Sequence, residues 1–114
     1  MLQRLLASFC RIPEVRVATL IDDLGSEQIR VSAQDEKDVL LNNLSDMLRV
    51  ARVAAEVLGI GQAHQCWFEA PNGCIMVRPL PDGMSLAIVT GAEPNLGRLS
   101  HEIQLRENAI LQLL

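Results

Sequence analysis

The sequence has little of what a nucleic-acid-binding or membrane protein needs. Among its 114 residues, Lys and Arg number 10 against 14 Asp and Glu, no basic tract occurs, and the formal net charge is −4. Because nucleic-acid affinity depends on clustered positive charge, we expect no nucleic-acid partner. Uninterrupted apolar runs such as Leu86 to Val89 are far shorter than the roughly 20 residues of a membrane-spanning helix, so we expect no membrane partner.

Signals for secretion and for disulfide bonding are lacking as well. Residues 1–13 contain Arg4 and Arg11 but neither a continuous apolar stretch nor a small-residue cleavage site. The 3 cysteines are an odd number, and a chain of this length buries a core without disulfides. We therefore expect reduced thiols, a cytoplasmic location and a single domain over residues 1–114.

Motifs for catalysis and for ligand binding are also absent. No Gly-rich loop followed by Lys and Ser or Thr occurs, and Gly59-Ile60-Gly61 is better explained as a helix end and a turn. His64, Cys66 and Cys74 lack the paired spacing of zinc ligands, and no orienting group accompanies His64 and Cys66 as a catalytic pair. We expect no catalytic residue, no metal and no cofactor, and hence a protein that is not an enzyme.

The first half of the chain predicts a helix, two strands and a long helix. Apolar residues from Leu2 to Phe9 recur at the spacing of one helical face, and Pro13 ends the pattern. Val15 to Ile21 is apolar on both faces, which favours a central strand, whereas the alternation in Gln28 to Ser32 favours an edge strand. A helix of about six turns then begins near Asp35 or Asp38 and ends at Gly59.

The second half predicts three strands and a closing helix that Asn95 caps. The strands are separated by two Pro- and Gly-containing hairpin turns, and they cover Gln62 to Glu69, Cys74 to Leu80 and Met84 to Thr90. The last of them has apolar or small residues on both faces, which again favours a central strand. The sequence therefore predicts an α/β (α+β) fold, a three-layer α/β/α sandwich of element order αββαβββα. We expect one five-stranded antiparallel sheet, with the long helix on one face and the two terminal helices on the other.

The apolar surface of the long helix is unusually wide. At 100° per residue, one arc contains Leu40, Leu44, Met47, Leu48, Ala51, Ala54, Ala55 and Leu58. An adjoining valine stripe consists of Val39, Val50, Val53 and Val57. Either other parts of the same chain cover this stripe, or a second chain does.

Trp67 and Phe68 are neighbours on a predicted edge strand, where adjacent side chains point to opposite faces of the sheet. One of the two should enter the core. Trp67 is therefore either an anchor of an interface or a core residue packed under the long helix.

Three features of the sequence together resemble the Roadblock family of dynein light chains and its bacterial relatives. One is the long Ala- and Leu-rich helix that ends at Leu58-Gly59. The others are Val17-Ala-Thr-Leu-Ile-Asp-Asp-Leu-Gly25 and Arg78-Pro-Leu-Pro-Asp-Gly-Met-Ser-Leu-Ala-Ile-Val89, the latter followed by Asn95-Leu96-Gly97. The resemblance covers nearly the whole chain, and it consists of strand hydrophobicity and turns in a matching order.

The resemblance implies a homodimer, or a heterodimer with a sister domain. In such a dimer the long helices pack together, and the strand after that helix pairs edge to edge into a ten-stranded sheet. The valine stripe then maps to the helix interface, and Gln65 and Trp67 map to the pairing strand. Family members serve as platforms for small Ras-like GTPases, and bacterial ones include stimulators of GTP hydrolysis in motility and polarity systems.

The resemblance therefore implies a dimeric adaptor or regulator that binds a small Ras-like GTPase and modulates its nucleotide hydrolysis or localisation. Arg49 and Arg52, on the polar side of the long helix, either contact this partner or are ordinary solvated arginines. Two alternatives stay open. One is a small acidic dimeric chaperone for an exported effector, and the other is a purely structural scaffold in a motor or signalling complex.

Overall fold

The computed structural model describes residues 1–22, 26–32, 44–62, 64–81 and 83–113. The elements are α1 (Leu2–Phe9), β1 (Val15–Ile21), β2 (Glu27–Ser32), α2 (Leu44–Val57), β3 (Cys66–Ala70), β4 (Gly73–Pro79), β5 (Ser85–Thr90) and α3 (Leu96–Leu113). Their order is the predicted αββαβββα. The predicted beginning of the long helix, which includes Val39, lies outside the described residues.

The five strands form one antiparallel sheet in the order β2-β1-β5-β4-β3. The strands that are apolar on both faces, β1 and β5, lie in the interior of this sheet, and β2 and β3 form its edges, as the sequence predicts. A central strand must bury both of its faces. The sheet therefore needs a helical layer on each side.

One face of the sheet packs against both α1 and α3. Side chains at alternate strand positions point to this face, and the helices contribute large aliphatic and aromatic residues; the buried cluster includes Leu20, Met76, Leu86, Ile88, Leu6, Phe9, Leu99, Ile103 and Ile110. The two helices are tied to each other by Arg106 of α3. Its Nε donates to Ser8 Oγ at 2.7 Å, and its guanidinium lies 5.3 Å from the Phe9 ring centre.

The opposite face packs against α2 through small side chains. Its buried cluster is Ile21, Cys66, Val77 and Ala87, and Ala51 of α2 packs against these residues. Ala55, one turn further along α2, is also buried. The long helix and the terminal helices therefore occupy opposite faces, and the predicted three-layer arrangement is confirmed.

Local structure explains where the elements begin and end. Asn95 caps α3, because its Oδ1 accepts a hydrogen bond from the backbone N–H of Arg98 at 3.0 Å. After α2, Gly59 and Gly61 have φ of +68° and +95°, so the chain turns where glycine is favoured, as predicted. The next strand was predicted to begin at Gln62, but β3 begins only at Cys66.

Trp67 lies on the α1 and α3 side of the sheet, where it packs partly buried against the large cluster. The hypothesis that it packs under the long helix is therefore wrong. The reason is the alternation of side chains along β3: Cys66 faces α2, so its neighbour Trp67 must face the other way. The side chain of Phe68, one residue further along the strand, points to the α2 side and is 37% exposed.

Candidate protein interaction surface

The outward surface of α2 carries a row of exposed valines. Val50, Val53 and Val57 recur at helical spacing and are 64%, 53% and 80% exposed. With Arg49, Ala54 and Leu58 they line a shallow, almost wholly apolar groove along the helix. No element among the described residues covers this row. Exposed apolar surface of this extent marks an interaction site more often than an ordinary solvated face.

The row continues past the end of α2. Leu58 and Ile60 are 71% and 73% exposed, on the turn that follows the helix. Leu58 N–H still donates to Ala54 O at 3.0 Å and Ile60 N–H to Ala55 O at 3.1 Å, so both residues are held by the last turn of α2. We call the five exposed residues the α2 patch: Val50, Val53, Val57, Leu58 and Ile60.

The strand β3 presents a second feature on the same side of the sheet. Only one of its edges is paired, with β4, so backbone donors and acceptors are left along the other edge within the part of the chain that the structure describes. Phe68 points to the α2 side from this strand. Phe68 was not among the predicted interface residues, although its alternation with Trp67 along the strand is the signal that points to it.

Gln65 and Trp67, which the resemblance maps to the pairing strand, are not brought to the α2 patch. Trp67 faces the α1 and α3 side. Gln65 lies just before β3, where its Nε2 donates to Ser100 Oγ at 3.4 Å and its Oε1 accepts from Arg78 Nη1 at 3.1 Å. Arg78 in turn forms a salt bridge of 3.0 Å with Glu107. This network fixes the beginning of β3 against α3.

The two arginines of α2 differ in their surroundings. Arg49 forms an ion pair of 3.4 Å with Asp46, one turn earlier, and both side chains are largely exposed. Arg52 is also exposed and borders a groove at the end of the sheet, together with Glu56, His64 and Glu107. Its positive charge acts on the nearby thiol of Cys66. Both arginines are accessible to a partner molecule.

The cysteines are free thiols. Burial raises the pKa of each of the three, Cys10, Cys66 and Cys74, and at Cys66 the charge of Arg52 opposes this rise. A raised pKa keeps a thiol protonated and therefore weakly nucleophilic. Within the described ranges, no three His, Cys, Asp or Glu side chains are grouped as metal ligands would be, and no helix there has the length and apolarity to cross a bilayer.

Comparison with known proteins gives matches among solved structures. The Roadblock/LC7 domain from Streptomyces avermitilis superposes with a TM-score of 0.80 at 17% identity, over 97% of this chain and 95% of that one. Myxococcus xanthus MglB gives a TM-score of 0.82 at 13% identity, over 99% and 96% of the two chains. The chain has the Roadblock/LC7 fold. No family model and no curated protein sequence matches it.

The Roadblock/LC7 fold accounts for the whole described arrangement of strands and helices. A further structure, of MglB in a tetrameric arrangement, matches with a TM-score of 0.85 at 18% identity, over 97% of this chain and 85% of that one. At such identities the likeness concerns the fold, and most side chains at matching positions differ. The properties of this chain's own surface therefore have to be derived from its own residues.

Proposed function

We propose that the chain is a dimeric adaptor or regulator that acts in the cytoplasm on a small Ras-like GTPase and has no catalytic site of its own. The observation that carries the proposal is the α2 patch, which lies on the same side of the sheet as Phe68 at the free edge of β3. The Roadblock/LC7 fold supports it, and so does the resemblance of the sequence to a family that serves such GTPases.

The first part of the proposal is self-association through α2 and β3. Moving a valine side chain from water into an interface contributes on the order of 1 kcal/mol or more, and the α2 patch offers three valines along one line. A twofold dimer uses the same patch on both copies, which suits a surface that is almost wholly apolar. A sister domain with a matching patch would fill the same place.

The second part is the GTPase. A regulator must bind the GTP-bound and GDP-bound forms with different affinities, because a ligand shifts a two-state equilibrium only by its differential affinity. We assign the contact to the polar side of α2 around the exposed Arg52, and Arg49, which is exposed at the border of the apolar groove, lies at its edge. The apolar α2 patch then remains for the second copy.

The GTPase part is tested with purified Ras-like GTPases encoded in the same genome. Each is loaded with GDP or with a non-hydrolysable GTP analogue, and binding is measured by calorimetry. We expect one GTPase to bind at least about tenfold more tightly in one nucleotide state, a difference of about 1.4 kcal/mol. Equal affinities for both states would indicate a scaffold. Absence of binding by every GTPase at about 100 µM would contradict the proposal.

The arginines are tested with Arg49→Ala and Arg52→Ala, and Arg98→Ala on α3 is the matched control. An arginine that enters the partner's active site accelerates hydrolysis about 10³-fold or more, so its removal abolishes stimulation. We expect the weaker outcome, in which affinity falls several-fold and the rate at saturation is unchanged, because both arginines lie on a helix surface. If Arg98→Ala lowered the affinity for the GTPase as much as the α2 variants do, α2 would not be the contact surface.

A further inference from the structure

The hydrogen-bonding directions of β4 can be read from the end of its ladder with β5. Leu80 N–H donates to Met84 O at 2.8 Å, in the same register as the ladder itself. The N–H and C=O groups of successive residues point alternately to the two neighbours of a strand. In β4, the backbone groups of even-numbered residues therefore point to β5. The residues of β4 that face β3 are therefore Gly73, Ile75 and Val77.

The same alternation continues into β3. The partners of those three residues across the β3–β4 ladder are Ala70, Phe68 and Cys66, with no shift in register. The remaining two residues of β3 are Trp67 and Glu69, so their backbone N–H and C=O groups face the free edge. If a second β3 strand pairs with this edge, Trp67 and Glu69 must lie opposite residues whose backbone N–H and C=O groups also point out of their own sheet.

Only a few symmetric antiparallel registers meet this condition. With Phe68 on the twofold axis, Trp67 lies opposite the partner's Glu69, and all five residues of β3 take part. With Glu69 on the axis, Trp67 lies opposite the partner's Pro71, which has no N–H to donate, and two carboxylates are juxtaposed. With Trp67 or Cys66 on the axis, the ladder must include Gln65.

Gln65 is unsuited to such a ladder. It lies outside β3, and its side-chain amide is hydrogen-bonded to Ser100 and Arg78, which holds this residue against α3 before the strand begins. Phe68, in contrast, is at the centre of the five-residue strand, and its ring is 37% exposed on the α2 side. A twofold axis through Phe68 brings two such rings together, in an aromatic pair across neighbouring strands.

We propose that two copies of this chain pair their β3 strands antiparallel with Phe68 on the twofold axis. The inference rests on the self-association proposed above and specifies its register. Cys66 then lies directly opposite the partner's Ala70, at a position where neither residue's backbone bonds across the new interface. Cα atoms of such pairs are about 4.5 Å apart, within the range that a disulfide spans.

The register is tested by disulfide trapping with Ala70→Cys, which leaves Phe68 intact. Under mild oxidation we expect most of this variant to become a covalent dimer on non-reducing gels. Mass spectrometry should find position 66 of one copy joined to position 70 of the other. The matched control, Ala70→Cys combined with Cys66→Ser, should lose this product while remaining a dimer by light scattering.

Other registers predict different products. An axis at Cys66 joins the native Cys66 thiols of the two unmutated chains, and an axis at Trp67 joins position 66 to position 68 in Phe68→Cys. Either product, or a dimer of Ala70→Cys without the 66–70 disulfide, would overturn the register and leave self-association standing. A monomeric wild-type chain would instead overturn the proposed self-association and the register together.

Discussion

The two faces of the sheet are built from different side chains. On the α1 and α3 face, the helices insert large residues such as Leu6, Phe9 and Ile103, all fully buried. On the α2 face, the second half of the helix turns its small residues Ala51 and Ala55 to the sheet and its valines to the outside. An amphipathic helix that serves only its own core does the reverse. The valines of this half of α2 are therefore available to another chain.

The largest effect on stability is expected for a substitution on the α1 and α3 face of the sheet. Ile103→Ala removes a fully buried side chain of α3 and leaves a cavity, so the free energy of unfolding should fall by about 2–5 kcal/mol. Urea titration followed by circular dichroism measures it. Leu105→Ala, on the exposed side of the same helix, should change it by about 0.5 kcal/mol or less. Similar losses for both would mean that α3 does not pack as described.

The polar network that anchors β3 should have a smaller effect. Arg78 is hydrogen-bonded to Glu107 and Gln65, and both ends of its salt bridge are only partly exposed. Arg78→Met should lower the free energy of unfolding by about 1–2 kcal/mol, since hydrogen bonds to charged groups contribute amounts of this order. A double-mutant cycle with Glu107→Gln should give a coupling of about 1 kcal/mol. Purely additive effects would show that the pair contributes nothing.

The helix cap should matter less again. Asn95→Ala removes the acceptor of the Arg98 N–H and should cost about 1 kcal/mol. Asn108→Ala, at an exposed position within α3, should instead stabilise slightly, because alanine favours helices more than asparagine does. The opposite signs, measured by the same urea titrations, separate the cap from a general effect of helix propensity.

The smallest expected effect is on thiol reactivity and does not involve a mutation. Because burial raises the pKa of Cys66 and of Cys74, a smaller fraction of each is thiolate than in the unfolded chain. Labelling with iodoacetamide at about pH 8 should therefore be several-fold slower in the folded protein than in urea, and it should accelerate as the pH rises. Equal rates in both states would contradict the burial of these residues.

The sequence predicted the elements well because local signals set them. Apolar residues on both faces marked β1 and β5 as interior strands, and an Asn at the right position marked the beginning of α3. The valines of α2 were also found from periodicity alone, and Val50, Val53 and Val57 are all exposed. Val39 lies outside the described residues, so its part in the stripe stays a prediction.

The side of the sheet on which a residue lies was harder to predict. The alternation along β3 separates Trp67 from Phe68, but it does not say which of the two faces α2; that depends on how β3 pairs with β4. Gln65 was assigned to the strand, yet its contacts with Ser100 and Arg78 join segments distant in sequence. Such long-range contacts leave no periodic signal in the chain.

We infer that a second copy completes the α2 face, whereas no second copy covers the exposed part of α3. Val53→Glu and Leu105→Glu compare the two, since Val53 and Leu105 are exposed helical residues, at 53% and 63%. Circular dichroism first confirms that both variants are folded. Light scattering at tens of micromolar should then give about twice the 12.6 kDa chain mass for the wild type and for Leu105→Glu, and a single chain for Val53→Glu. A monomeric wild type, or a Val53→Glu variant that stays dimeric, would contradict the claim.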